Sequence, residues 1–166
     1  MIIHINYLTT KKKHQMGLFS FLKNAGSKLF KKKAPAEATP VELSKEQALA
    51  NEINRLGIPI SGLNLELGES ITVSGSTSTN ADREKIILAL GNVEGVSVVE
   101  DNISVTNPEP EAVFYTVVSG DSLSKISKAQ YGDPMKYNAI FEANKPMLEH
   151  PDKIYPGQVL RIPPLN

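Results

Sequence analysis

The chain has 166 residues, 18 acidic and 18 basic side chains, and no cysteine or tryptophan. That length holds one domain or two small ones, and the few aromatics favour two compact cores over one large one. Small secreted domains often need disulfides, so the lack of cysteine leans towards an intracellular chain. The zero net charge hides an asymmetry: residues 1–33 carry eight lysines and no acid, leaving ten basic and 18 acidic residues elsewhere. An acidic body argues against nucleic acid as a partner, because phosphate binding needs a basic face.

Met1–Gln15 does not read as a signal peptide. Its apolar start precedes its charges, and no small-residue cleavage site follows a long apolar run. Met16-Gly17-Leu18-Phe19 reads as a second start, which makes residues 1–15 an upstream extension, expected to be disordered. No stretch is long and apolar enough to span a membrane. Residues 16–33 read as a basic amphipathic head. Leu18, Leu22, Ala25 and Leu29 recur at helical spacing, Gly26 weakens the helix by roughly 1 kcal/mol, and Lys31–Lys33 suit its C-terminus.

Pro35 and Pro40 mark a short linker. Ser44 and Gln47 fit a capping box for a helix that buries Ala48, Leu49, Ile53 and Leu56 and stops at Gly57. Leu63, Leu65 and Leu67 alternate as a strand, as do Ile71 and Val73, with a turn at Gly68-Glu69-Ser70. Thr79 or Asn80 caps a second helix, with Ala81, Ile86, Ile87, Ala89 and Leu90 apolar. Asp82 and Glu84 read as exposed acids of its first turn, placed by the helix dipole, and not as a catalytic pair. After the loop Gly91–Val96 comes a strand through Val96, Val98, Ile103 and Val105. Asn107-Pro-Glu-Pro-Glu111 is a stiff connection.

Val113, Tyr115 and Val117 then alternate as a strand. Asp121 is placed to cap a helix whose Leu123, Ile126 and Tyr131 face inward. Pro134 opens another helix with Tyr137, Ile140 and Phe141 inside. Asn144 reads as a turn former, and Val159, Leu160 and Ile162 form a closing strand. His4, His14 and His150 are dispersed, which disfavours a histidine metal site. No nucleophile elbow or acid–base constellation is present, so an enzyme is not expected.

Tyr115-Thr-Val-Val-Ser-Gly120-Asp121-Ser122-Leu123, Ile140-Phe-Glu-Ala-Asn144 and Tyr155-Pro-Gly-Gln-Val-Leu-Arg-Ile-Pro163 together resemble a LysM module, with order βααβ. Ile71-Thr-Val-Ser-Gly75 and Gly91-Asn-Val-Glu-Gly-Val-Ser-Val-Val99, within the order αββαβ, resemble a BON domain. The fold class implied is α+β in two small domains. The BON domain takes residues 34–106, a linker 107–112 and the LysM domain 113–166. With the head Gly17-Leu-Phe-Ser-Phe-Leu-Lys-Asn-Ala-Gly26, the order resembles the bacterial cytoplasmic BON–LysM potassium-binding family.

The resemblance implies reversible, selective binding of K⁺ by backbone carbonyls, those of Leu22, Ala25, Ser27, Phe30, Gly91 and Val93. It also implies ion-linked ordering of the head and intramolecular docking of the LysM module on the BON domain, in a cytoplasmic sensor or buffer. The physics is consistent. K⁺ is large and singly charged and suits neutral carbonyls, whereas carboxylate-rich sites favour Ca²⁺ or Mg²⁺. Two other readings stand beside it. In glycan-binding LysM modules a groove forms where this chain has Gly120, Asp121, Ser122, Leu123, Asp152 and Ile154, which would bind peptidoglycan. A BON domain also occurs in phospholipid-associated stress proteins, although membrane association is not expected here.

Overall fold

A computed structural model describes residues 17–21 and 45–165 of the chain. Helix α1 (Lys45–Leu56) buries Leu49, Ile53 and Leu56, the four-and-three spacing of one helical stripe. Gly57 ends it with φ 61°, a left-handed conformation that favours glycine. Ser44, its expected cap, lies outside the described residues. Strands β2 (Ser61–Leu67) and β3 (Ile71–Thr79) pair antiparallel, Leu67 opposite Ile71. Helix α2 (Asn80–Gly91) starts from Thr79, whose hydroxyl accepts the Asp82 N–H at 3.2 Å. A cap of this kind contributes about 1 kcal/mol. Strand β4 (Val98–Asn107) then returns parallel to β3, as the helical crossover allows.

The order α, β, β, α, β over residues 45–107 is the expected one, but among the described residues the sheet has four strands, not three. Gly17–Ser20 forms strand β1, antiparallel to β4 from Gly17 opposite Asp101 to Ser20 opposite Val98. The helix expected from Leu18 therefore does not begin there. Phe19 and Phe21 point inward while Leu18 is 67% exposed, a period of two. A short apolar run fits both periods, and the unpaired edge of β4 decides the outcome by supplying backbone partners. The rest of the head, from Leu22, lies outside the described residues. The sheet order is β1-β4-β3-β2.

In β4 the inward residues are Val99, Asp101 and Ile103, not Val98 and Val105. A charged residue at an inward position masked the alternation. Asp101 is tolerated there because Arg83 Nε donates to it at 2.5 Å and the Ile103 N–H at 2.9 Å. Val99 and Ile103 join Ile71, Val73, Leu49, Ile53, Ile86, Ile87 and Leu90 in the first core.

Strands β5 (Val113–Thr116) and β6 (Val159–Ile162) form a separate antiparallel pair. Between them lie α3 (Leu123–Tyr131), a 3-10 turn at Pro134–Lys136 and α4 (Tyr137–Ala143). Val117, Leu123, Ile126, Ile140, Leu148, Leu160 and Ile162 make the second core. The cap of α3 is Ser122, which accepts the Lys125 N–H, and not Asp121. Asp121 instead accepts the Tyr115 O–H and the Val118 N–H, both at 2.9 Å, which closes the preceding turn. Asn144 does more than turn the chain. It is buried, and its amide donates to Arg161 O and accepts the Arg161 N–H, each at 2.8 Å.

Candidate metal centre

Two of the six expected carbonyl ligands, Gly91 and Val93, are described. Leu22, Ala25, Ser27 and Phe30 lie outside the described residues. Gly91 is the last residue of α2, where carbonyls run out of intrahelical partners. Among the described residues no N–H donates to Gly91 O. Val93 O accepts one bond, from the Val96 N–H at 3.1 Å, and keeps a second lone pair. Both carbonyls therefore keep a lone pair that a cation taking neutral oxygens can use. No group of three or more His, Cys, Asp or Glu is placed to hold a metal among the described residues.

The loop meets the start of the head. The Phe21 N–H donates to Ser97 O at 2.8 Å, and the Phe21 ring covers Gly91 so closely that any Cβ at position 91 would fall inside it. Gly91 is thus fixed as glycine by packing, although its backbone is helical. The Leu22 carbonyl is one residue beyond this contact in the chain. At the other end of residues 22–44, Lys45 Nζ reaches Gly95 O at 3.5 Å. Phe21 and Lys45, the described residues on either side of that stretch, thus both reach residues 91–97.

The same loop meets strand β6 of the second unit. Asn92, 6% exposed, donates from Nδ2 to Val159 O and accepts the Val159 N–H at Oδ1, both at 3.3 Å. Two turns earlier on α2, Glu84 accepts from Arg161 Nε at 2.5 Å and from the Ala112 N–H at 2.9 Å. Glu84 is 4% exposed and Arg161 7%. The expectation of an exposed Glu84 is wrong because its partner lies 77 residues away, out of reach of any local pattern. Arg55 adds a bond from Nη1 to Pro146 O at 3.2 Å, and Met147, Val159 and Phe114 pack into the first core. Phe114 also meets the Phe19 ring, centroids 5.1 Å apart. Arg83 bridges Asp101 and Glu111 beside this junction; burial by itself lowers its guanidinium pKa, but the bonds and charges of the two carboxylates outweigh it and leave the pKa raised.

Phe21, Asn92 and Arg161 were the residues that the sequence left unassigned. For Arg161 a signal existed: it sits inside a fully buried strand, Val159–Ile162, where a charge needs a partner. For Asn92 none did, since an Asn after a helix-ending Gly reads as a turn.

The alternative groove residues fall on the second unit. Gly120 holds a turn with φ 87° and its carbonyl accepts from Lys125 Nζ at 2.7 Å. Asp121 and Ser122 are engaged as described, and Leu123 is core. Asp152 is exposed, 3.6 Å from His150 Nδ1, and Ile154 is half-buried against the second core. Tyr155, on the following loop, has its hydroxyl buried with no hydrogen-bond partner among the described residues, and burial pushes its pKa up.

The model of the LysM domain family matches residues 115–163. The "Potassium binding protein Kbp" of Escherichia coli O6:H1 is 45% identical over 150 residues, covering 89% of this chain and 99% of the relative. An "Uncharacterized protein" of Deinococcus radiodurans is 34% identical over 110 residues, 60% of this chain and 43% of the relative's length. The match to the first of these runs almost end to end, and with a LysM domain at its C-terminus the chain belongs to the family of the potassium binding protein Kbp.

Proposed function

We propose that this protein binds K⁺ reversibly through backbone carbonyls, with Gly91 and Val93 on one side and Leu22, Ala25, Ser27 and Phe30 of the head on the other. The observation that carries this reading is the seating of Phe21 on Gly91, which brings the described part of the head against a loop whose Gly91 and Val93 carbonyls keep lone pairs free among the described residues. The relative of near-identical extent named for potassium supports the choice of ion. A neutral carbonyl cage suits a weakly demanding monovalent ion better than a small divalent one.

The head is short, and an isolated helix of that length is marginal in water. Ligands drawn from it tie ion binding to its ordering and so to stability. At an ion concentration 100 times the dissociation constant the stabilisation is about 2.7 kcal/mol, which raises Tm by roughly 5–10 °C. Melting curves in equal concentrations of KCl, NaCl and LiCl test this. Only KCl is expected to give the full rise, and deleting residues 16–33 is expected to abolish it. Equal melting temperatures in all three salts contradict the reading.

Binding of peptidoglycan is a second reading, favoured by the LysM match over residues 115–163. Against it, the Asp121 carboxylate is already engaged by Tyr115 and Val118. A pull-down with purified peptidoglycan separates the two, because deletion of the head leaves a glycan interaction intact. An ion-linked cytoplasmic sensor or buffer is the role that fits the first reading.

A further inference from the structure

We infer that Asn92 couples the ion loop to the LysM unit, its side-chain amide standing in for a third strand beside β6. The inference rests on the reading of Gly91 and Val93 as ligands. Among the described residues strand β6 belongs to a two-stranded sheet, in which β5 serves one of its edges. The other edge presents the N–H and C=O groups of alternate residues, Val159 and Arg161, and buried groups of this kind need partners. Arg161 has both satisfied by Asn144, from the same unit. Val159 has both satisfied by Asn92, from the other unit. A carboxamide suits this place because it presents a donor and an acceptor side by side, as a peptide group does.

The main chain of Asn92 is equally committed. Its N–H donates to Leu88 O at 3.0 Å, and its Cα lies between the two carbonyl-bearing residues. Any backbone adjustment that turns the Gly91 and Val93 carbonyls therefore carries the Asn92 amide with it. The amide bonds to Val159 are 3.3 Å long, near the outer end of the normal range, so a shift of a few tenths of an ångström makes or breaks them. Glu84 and Leu88 precede Asn92 on one stripe of α2, and Glu84 meets Arg161, so the clamp is backed by the rest of the helix face. Ion binding and seating of β6 thus draw on one loop conformation, and by linkage each strengthens the other.

Hydrogen exchange followed by NMR on the full chain, in equal KCl and NaCl, tests the coupling. In the wild type the Val159 amide is expected to exchange about tenfold more slowly in KCl. In Asn92→Ala that ratio falls to near one, while the Ile87 amide of the first core still exchanges more slowly in KCl. The apparent affinity for K⁺ weakens by the factor that the Val159 ratio loses. Asn92→Asp keeps an acceptor for the Val159 N–H but sets an anion against Val159 O, so it also loses the ratio; it carries the test if the alanine variant unfolds. A purely structural role would speed Val159 exchange equally in both salts and leave the ratio unchanged, which overturns the coupling. If Ile87 shows no preference for KCl in the wild type, the ion reading itself falls, and the coupling with it.

Discussion

Arg161→Ala is expected to destabilise the protein by about 3–5 kcal/mol, more than any other single change at the junction of the two units. The loss is not the worth of an ion pair. Removing the guanidinium leaves the Glu84 carboxylate buried with the Ala112 N–H as its remaining partner, and desolvation of that charge is no longer offset. For a chain of this size the fall in Tm is roughly 6–20 °C. The double variant Glu84→Leu/Arg161→Met removes both charges and keeps the bulk, so it is expected to lie within about 1–2 kcal/mol of wild type. Urea denaturation of the three proteins checks the pattern. A single variant as stable as wild type would mean that Glu84 and Arg161 do not meet out of water.

The second large effect is expected from Gly91→Ala, and it falls on ion response more than on stability. The new methyl and the Phe21 ring cannot share the same space. Overpacking of this kind costs about 1–3 kcal/mol where neighbours must shift. Here a cheaper response exists: Phe21 follows a four-residue strand, and its own backbone anchor is the bond to Ser97 O. Lifting Phe21 relieves the clash and takes the start of the head off the loop. The variant is therefore expected to keep its fold, lose about 2 kcal/mol and lose most of the KCl-specific rise in Tm. Combining it with Phe21→Ala is expected to cost at least about 1 kcal/mol less than the two changes added, since both act on one contact. Additive costs and an intact KCl response would contradict the packing described.

Much of the fold was legible in the sequence because local rules and tertiary burial agreed. The Leu49–Ile53–Leu56 stripe, the Thr79 cap and the LysM strands all appear where periodicity and capping chemistry put them. The misreading of Glu84 and the silence on Asp101 and Arg161 share one cause. Asp101, Glu84 and Arg161 are charged residues at inward positions, each paired with a residue distant in the chain. A local pattern counts such residues as exposed, and only the partner makes burial tolerable. Gly17–Ser20 was misread for a related reason: a short apolar run carries no period of its own, and the edge of β4 supplies it.

The candidate site was the least legible part. Carbonyl ligands have no side-chain signature, so Gly91 alone says only that a helix ends. What the structure adds is why this position must be glycine, through Phe21, and why the next must be a carboxamide, through Val159. Both constraints come from segments far away in sequence that converge on one loop.

The central claim is that K⁺ sits on the Gly91 and Val93 carbonyls, and carbonyl carbon shifts report it directly. Titrating ¹³C-labelled protein with KCl at constant ionic strength, with NaCl as the exchanged salt, is expected to move the Gly91 and Val93 carbonyl resonances along one saturable curve. Carbonyls of the exposed 3-10 turn of the second unit, such as that of Met135, are expected to stay still. Saturable K⁺ binding that leaves both the Gly91 and Val93 carbonyls unmoved would contradict the account.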